Sequence, residues 1–316
     1  MDESKQNPVR FYLVGPTGAG KKRVAVRIAP ELDAEIVSLD SMKVYRGADI
    51  GTTTPTAEQQ STCPFHLINI RDPHEDFSVA DYISEAKQVE QTLRENGKRP
   101  LFVGGTGMYL NRLVNGLFDG PEADWELRDE LKQEADEKGS DALHDRLKDV
   151  DPERADEIHP NDLRRIVRAL EVYRKTGRPM SELQDEAAER AARFDHRIAV
   201  LNWPRETLYE RINERVEDML ERGWLEEARK LKQLDPPPGR HVMQAAGYQQ
   251  LFEYIDGDLD WEETVEEIKQ EHRQLAKRQL TWFRSLDAPV EWVELQKGDS
   301  VDEAVEPVLD FFQRGE

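Results

Sequence analysis

The chain of 316 residues holds a single cysteine, Cys63. That excludes a disulfide framework and any cysteine-based zinc site, and leaves Cys63 as a small packed residue. No apolar run approaches the ~18 residues of a membrane span. The opening "MDESKQNPVR" lacks the apolar core of a signal peptide. A soluble, cytoplasmic protein with no membrane partner is therefore expected. Internal repeats and low-complexity segments are absent too. Basic residues are scarce: 44 Lys and Arg stand against 65 Asp and Glu, a net charge of -21. Taken alone, that disfavours nucleic acid as a partner, because phosphates repel an acidic surface. It also suits a surface adapted to a salt-rich cell. What decides is whether the few basic residues cluster.

The length allows one or two domains with a sizeable core. Short apolar runs alternate with helical patterns: "RFYLVG" (10–15), "AEIVSLD" (34–40), "FHLINI" (65–70) and "PLFVGG" (100–105) read as strands. Helices are expected over 21–30 and 78–96 and from Gly107 onward. This order predicts an α/β fold, a parallel sheet flanked by helices. From about Asp119 to Ala192 only helical periodicity remains. The chain is thus divided into a core of residues 1–118 and 193–316 and an all-helical insertion, 119–192. "RIAVLNW" (197–203) rejoins the sheet, "DPPPGR" (235–240) breaks the later helices, and "VEWVEL" (290–295) is a final edge strand. The acidic tail helix reads as solvated.

One stretch carries chemistry at once. "VGPTGAGKKRVA" (14–25) nearly completes the phosphate-binding pattern G-x-x-x-x-G-K-[ST], placed between a strand and a helix as the mechanism requires. Gly15, Pro16, Thr17, Gly18, Ala19 and Gly20 would turn their backbone N–H groups into a concavity. Lys21 would add a point charge. The last position, which should carry a hydroxyl for magnesium, is Lys22. A small-molecule kinase needs that hydroxyl, so Lys22 weighs against phosphoryl transfer.

In a parallel sheet, ligands gather beyond the carboxyl ends of the strands. Two further loops sit there: "LDSMKVYRGADIGT", beginning Asp40–Ser41, and "GGTGMY", centred on Thr106. Each is also readable as a helix N-cap. Their shared edge with the phosphate loop favours a site.

At this point the chain resembles the tRNA dimethylallyltransferases, or tRNA isopentenyltransferases. The likeness runs through "GPTGAGK", "DSMKVYRGADIGT", "FSVADY", "PLFVGGTGMYL", "IHPNDLRRIVRALEVYRKTG", "AAGYQQL" and "RQLAKRQLTWFR". It implies a P-loop core and transfer of a dimethylallyl group from its diphosphate to the exocyclic amine of the adenosine just 3′ of the anticodon. It places the base on Asp40 and a diphosphate or amine ligand on Thr106. It also places a diphosphate ligand on Arg215, which would otherwise read as a solvated helix position. Magnesium is expected as cofactor, held mainly by the donor's phosphates because Lys22 replaces the usual hydroxyl. Contacts to the tRNA anticodon stem-loop carry over to Asp40, Ser41, Met42, Lys43 and Thr106, and to Arg128. They continue across Gln244, Ala245, Ala246, Gly247, Tyr248 and Gln249. No zinc-finger pattern follows the core, as in bacterial members, and a monomer is expected.

The basic residues do cluster. In "NDLRRIVRALEVYRKTGR", Leu163, Ile166, Val167, Leu170 and Tyr173 form an apolar stripe. Arg164, Arg168 and Lys175 line the opposite face, with Arg165 beside them. The resemblance assigns tRNA contact to the whole run from Arg164 to Arg168. In "HRQLAKRQLTWFR", Arg273, Lys277, Thr281 and Arg284 share one face, and Leu275, Ala276, Gln279 and Phe283 another. Lys277, Arg278 and Arg284 are the tRNA candidates there. A basic stripe on a helix is usually a solvated face, but two of them at motifs to which the resemblance assigns tRNA contact favour RNA. The target base must leave its stack to be reached. Trp282 reads as core and His159 as a turn residue. The rivals are a P-loop kinase for a small molecule and a tRNA-binding relative that has lost transfer.

Overall fold

A computed structural model describes residues 8–118 and 120–314. Among them are six strands: β1 (Val9–Val14), β2 (Ala34–Leu39), β3 (Phe65–His66), β4 (Arg99–Gly104), β5 (Asp195–Asn202) and β6 (Val290–Glu294). They form one sheet in the order β3-β2-β4-β1-β5-β6, with every pairing parallel. Helices cover both faces of a parallel sheet, so its inner strands read as unbroken apolar runs rather than alternations. In β1, "VRFYLV", all but the first residue are buried. The α/β reading from sequence holds, with strand ends displaced by a residue or two.

One strand differs. The sequence predicts six residues from Phe65, but β3 has two. Leu67 and Asn69 take left-handed backbone angles (φ 60° and 52°), which turn the chain out of the sheet. The next residues bond instead to the loop after β2: Asn69 N–H to the Lys43 carbonyl (2.9 Å) and Ile70 N–H to the Val44 carbonyl (2.8 Å). The lost strand thus braces a loop of the candidate site.

The core under one face joins Phe11 and Leu13 of β1, Val24 and Ile28 of the Lys21–Glu31 helix, and Leu201, Ile212, Val308 and Phe312. Phe312 contradicts the solvated tail: it is fully buried, with its ring 5.0 Å from that of Phe11. The Arg197 guanidinium donates to the Phe312 carbonyl, tying down the Val305–Gln313 helix.

The chain divides into two compact units: one of the chain up to Asn111 and from Phe194 on, the other Arg112–Arg193. Asp119, where the sequence pattern changes, lies outside the described residues. The smaller unit is helical, with its own core of Leu131, Leu143, Leu147, Ile166 and Leu170. At its centre Glu171 is fully buried. Its carboxylate accepts from Arg128 (2.9 Å to each oxygen), from the Asp124 N–H (2.7 Å) and from Arg168. Removing one partner of a buried ion pair costs about 3–5 kcal/mol, because the other charge is stranded. Arg128 and Arg168, both partly exposed, therefore also help to hold this unit together.

Candidate active site

Because the strands are parallel, the loops after β1, β2 and β4 open at one edge of the sheet, and β4 lies between β1 and β2. The loop after β1 is held tightly. A Cβ at Gly15 would stand 2.7 Å from the Leu201 carbonyl oxygen, and one at Gly20 2.6 Å from Val301. Gly20 is also left-handed (φ 92°), as the N-cap of the Lys21–Glu31 helix. The loop carbonyls are engaged by donors from the scaffold. Lys21 Nζ donates to the Gly15 and Pro16 oxygens (both 2.8 Å), Arg211 to Gly18 (3.0 Å) and Trp203 Nε1 to Ala19 (3.1 Å). Thr17 N–H bonds to Gln279 (2.8 Å) and Ala19 N–H to the Pro16 carbonyl (3.2 Å), which leaves the loop's other N–H groups and the helix N-terminus to face an anion.

The loops after β2 and β4 are joined. Gly105 and Thr106 N–H both donate to the Leu39 carbonyl (3.1 and 3.2 Å), and Ser41 N–H donates to the Thr106 hydroxyl (3.1 Å). Thr106 is thus fixed to the residue beside Asp40. Asp40 turns its own loop: Oδ1 accepts from Met42 N–H (2.9 Å) and Lys43 N–H (3.4 Å), and Oδ2 from Lys43 Nζ (3.2 Å). Burial opposes its charge, but Lys43, the Met42 N–H and Lys21 outweigh it and hold the carboxyl below its usual range. Asp40 is ionised at neutral pH.

Around that carboxylate the charges are mostly positive. Burial, then the proximity of Lys43 and Arg215, lowers Lys21 to about 7, with Asp40 opposing. Burial, then Lys43, Arg215 and Arg222, lowers Lys22 to about 8. Burial likewise lowers Arg215, against the pull of Asp40. The Arg215 Nε is buried with no hydrogen-bond partner among the described residues. The Arg205–Glu221 helix therefore sends Arg215 into the site rather than into solvent. Against a net charge of -21, the crowding of cations around one carboxylate at a phosphate loop gives this edge of the sheet the charge to attract an anion.

Two polar residues in this region were missed from the sequence. Gln279, placed there on one helix face with Leu275, Ala276 and Phe283, bridges two loops: its Oε1 accepts from Thr17 N–H (2.8 Å) and its Nε2 donates to the Gly105 carbonyl (3.0 Å). Glu227 accepts from the N–H groups of Asp49, Ile50 and Gly51 (2.8, 2.8 and 3.0 Å) and from the Tyr248 hydroxyl (2.6 Å). It anchors the "GADIGT" segment. A glutamine inside an otherwise apolar stripe was the one available hint.

The remaining candidates are scattered. Arg164 and Arg165 are exposed, while Ile166 and Val167 point into the core of the smaller unit. Gln244 and Gln249 are exposed, Ala246 is half-buried, and Ala245, Gly247 and Tyr248 are buried. Lys277, Arg278 and Arg284 line the outer surface of the Trp261–Arg284 helix. Trp282 is not core: it is 44% exposed, its base set against Gly107, where a Cβ would fall 2.6 Å away. As the helix neighbour of buried Phe283, it lies just off the packed face. His159 is a turn residue, accepting from Asn161 N–H at 3.2 Å.

The family model for IPP transferases matches residues 43–286. The tRNA dimethylallyltransferase 1 of Pelobacter propionicus is 44% identical over 287 residues, 91% of this chain and 93% of that protein. The tRNA dimethylallyltransferase of Symbiobacterium thermophilum is 46% identical, over 94% of this chain and 92% of its own. Among solved structures, the tRNA isopentenylpyrophosphate transferase of Bacillus halodurans superposes with a TM-score of 0.71 at 39% identity, covering 97% and 96% of the two chains. A eukaryotic dimethylallyltransferase acting on tRNA superposes at 0.79 with 27% identity, over 96% of this chain and 79% of that one.

Proposed function

Since the chain belongs to the IPP transferase family, among the tRNA dimethylallyltransferases, we propose that it moves a dimethylallyl group from dimethylallyl diphosphate to the exocyclic N6 amine of the adenosine 3′ of the anticodon. The observation that carries this reading is the crowd of cations facing Asp40 at the phosphate loop. In the reaction the bond from the allylic carbon to the diphosphate oxygen breaks, and its electron pair leaves with the diphosphate. The amine nitrogen bonds to that carbon and loses a proton. The loop amides, Lys21 and Arg215 stabilise the departing charge where it develops. The Thr106 hydroxyl accepts from Ser41, so its one hydrogen is left to donate to a diphosphate oxygen. Asp40 takes the proton. A carboxylate held ionised is a weak base, but the cation formed as the amine nitrogen is alkylated is a strong acid, so weak basicity suffices.

Magnesium enters this proposal with the donor's phosphates. The protein's own donor set does not fit a resident ion: the hydroxyl position is Lys22, and both Asp40 oxygens are bonded within their loop. Among the described residues no group of three His, Cys, Asp or Glu side chains could hold a metal ion.

For RNA, the exposed Arg164 and Arg165, and on the other unit Lys277, Arg278 and Arg284, supply phosphate contacts. Replacing Arg164 and Arg165 by alanine should weaken tRNA binding and flatten the slope of log affinity against log salt by about two, one per lost contact. The Arg165–Asp162 pair is long (3.8 Å) and exposed, so the substitution spares the fold. An unchanged slope in a binding titration would make these arginines plain surface. No helix among the described residues is long and apolar enough to cross a membrane; we place the enzyme in the cytoplasm as a monomer. The acidic surplus should make folding cooperative only in high salt, since screening relieves self-repulsion at -21. Full thermal stability in low-salt buffer would remove the salt-rich-cell reading alone. The reaction itself is tested by diphosphate release: dimethylallyl diphosphate should yield diphosphate only when unmodified tRNA is added. Release without tRNA, or none with it, would contradict the reading.

A further inference from the structure

Lys22 stands where a loop of the form G-x-x-x-x-G-K-[ST] places a hydroxyl on magnesium. Its neighbour Arg23 turns outward to an exposed pair with Asp302 (2.8 and 2.6 Å). Lys22 does not follow it. The side chain is half-buried and its Nζ donates to the Thr53 carbonyl at 3.3 Å. That single long bond leaves two ammonium hydrogens unspent. The charged groups acting on it are Lys43, Arg215 and Arg222, all cations. A half-buried ammonium set among cations lacks its counterion, and a divalent ion bound at the same place would be repelled by it.

We propose that the Lys22 ammonium takes the place of a protein-held magnesium ion, binding the diphosphate of the donor directly, so that this enzyme binds diphosphate without metal. The proposal rests on the reading that the donor is an allylic diphosphate. As the carbon–oxygen bond breaks, both electrons stay on the diphosphate, and Lys22, Lys21 and Arg215 balance the added charge with no proton transferred to it. Any magnesium that arrives on the phosphates is then an aid rather than a requirement. A consequence follows for protons. Burial and the neighbouring cations hold Lys22 at about 8 and Lys21 at about 7 in the free protein. An anion favours their charged forms and raises both, so diphosphate binding near pH 8 takes up protons.

The test uses the full chain and inorganic diphosphate in a calorimeter, with EDTA or with magnesium. Wild type should bind in EDTA about as well as in magnesium. At pH 8 its binding heat should vary with the ionisation enthalpy of the buffer. Lys22→Thr should lose about tenfold or more in EDTA, the scale of one charged hydrogen bond. It should regain affinity with magnesium and show less buffer dependence. Lys22→Met should lose affinity in both conditions, which separates the missing ammonium from the restored hydroxyl. Circular dichroism checks that the variants are folded. Wild-type binding that needs magnesium, or Lys22→Thr binding unchanged in EDTA, would overturn the proposal. The functional reading fails separately: a protein that binds diphosphate in EDTA but never modifies tRNA contradicts only that reading.

Discussion

Asp40→Asn lowers the rate of dimethylallyl transfer by about 10²-fold or more, the usual scale of general acid–base help, while affinity for the donor changes little. The asparagine keeps an oxygen to accept from Met42 N–H, so the turn survives. What it loses is the negative charge that orients the amine and receives its proton. Because Asp40 is ionised well below neutrality, the wild-type rate should not fall from its titration until the pH drops into the acid range. Measuring kcat and KM for both proteins at fixed tRNA checks the split. Near-normal kcat in the variant would remove Asp40 from the base role.

The second large effect belongs to Arg215. Arg215→Met should cut kcat by about 10²–10³, the cost of losing one donor aimed at developing negative charge. Stability should not fall with it. The guanidinium is buried, its Nε has no partner among the described residues, and its charge opposes those of Lys21 and Lys22. An apolar side chain of similar volume relieves that crowding. Thermal melting should therefore show a Tm equal to or above wild type. A variant that turns over normally would remove Arg215 from the reaction, and one that unfolds would make it a structural residue.

That pairing of lost rate with kept stability marks what the sequence could not express. Strands were legible wherever burial on both sheet faces leaves an apolar run, as in "RFYLVG" and "PLFVGG". "FHLINI" misled because Leu67 and Asn69 adopt a backbone region that composition does not reveal. The tail helix looked solvated because its acidic face is conspicuous, whereas Val308 and Phe312 fill a core gap supplied by β1. The glycine spacing, Lys21 and the loop beginning Asp40–Ser41 could be read from local pattern, since their chemistry is local. Arg215 could not, because a helix face shows which residues are polar and not what they approach. Gln279 and Glu227 act on backbone 262 and 178 residues away, so only the folded chain brings them to their loops.

The most direct measurement is a nucleoside digest. Unmodified tRNA is incubated with the protein and dimethylallyl diphosphate, then cut to oligonucleotides and nucleosides and weighed by mass spectrometry. One dimethylallyl group is expected, on N6 of the adenosine 3′ of the anticodon, and none on a tRNA carrying guanosine there. Unmodified adenosine in tRNA that the protein nonetheless binds, or phosphate moved from ATP to a small molecule instead, would contradict it.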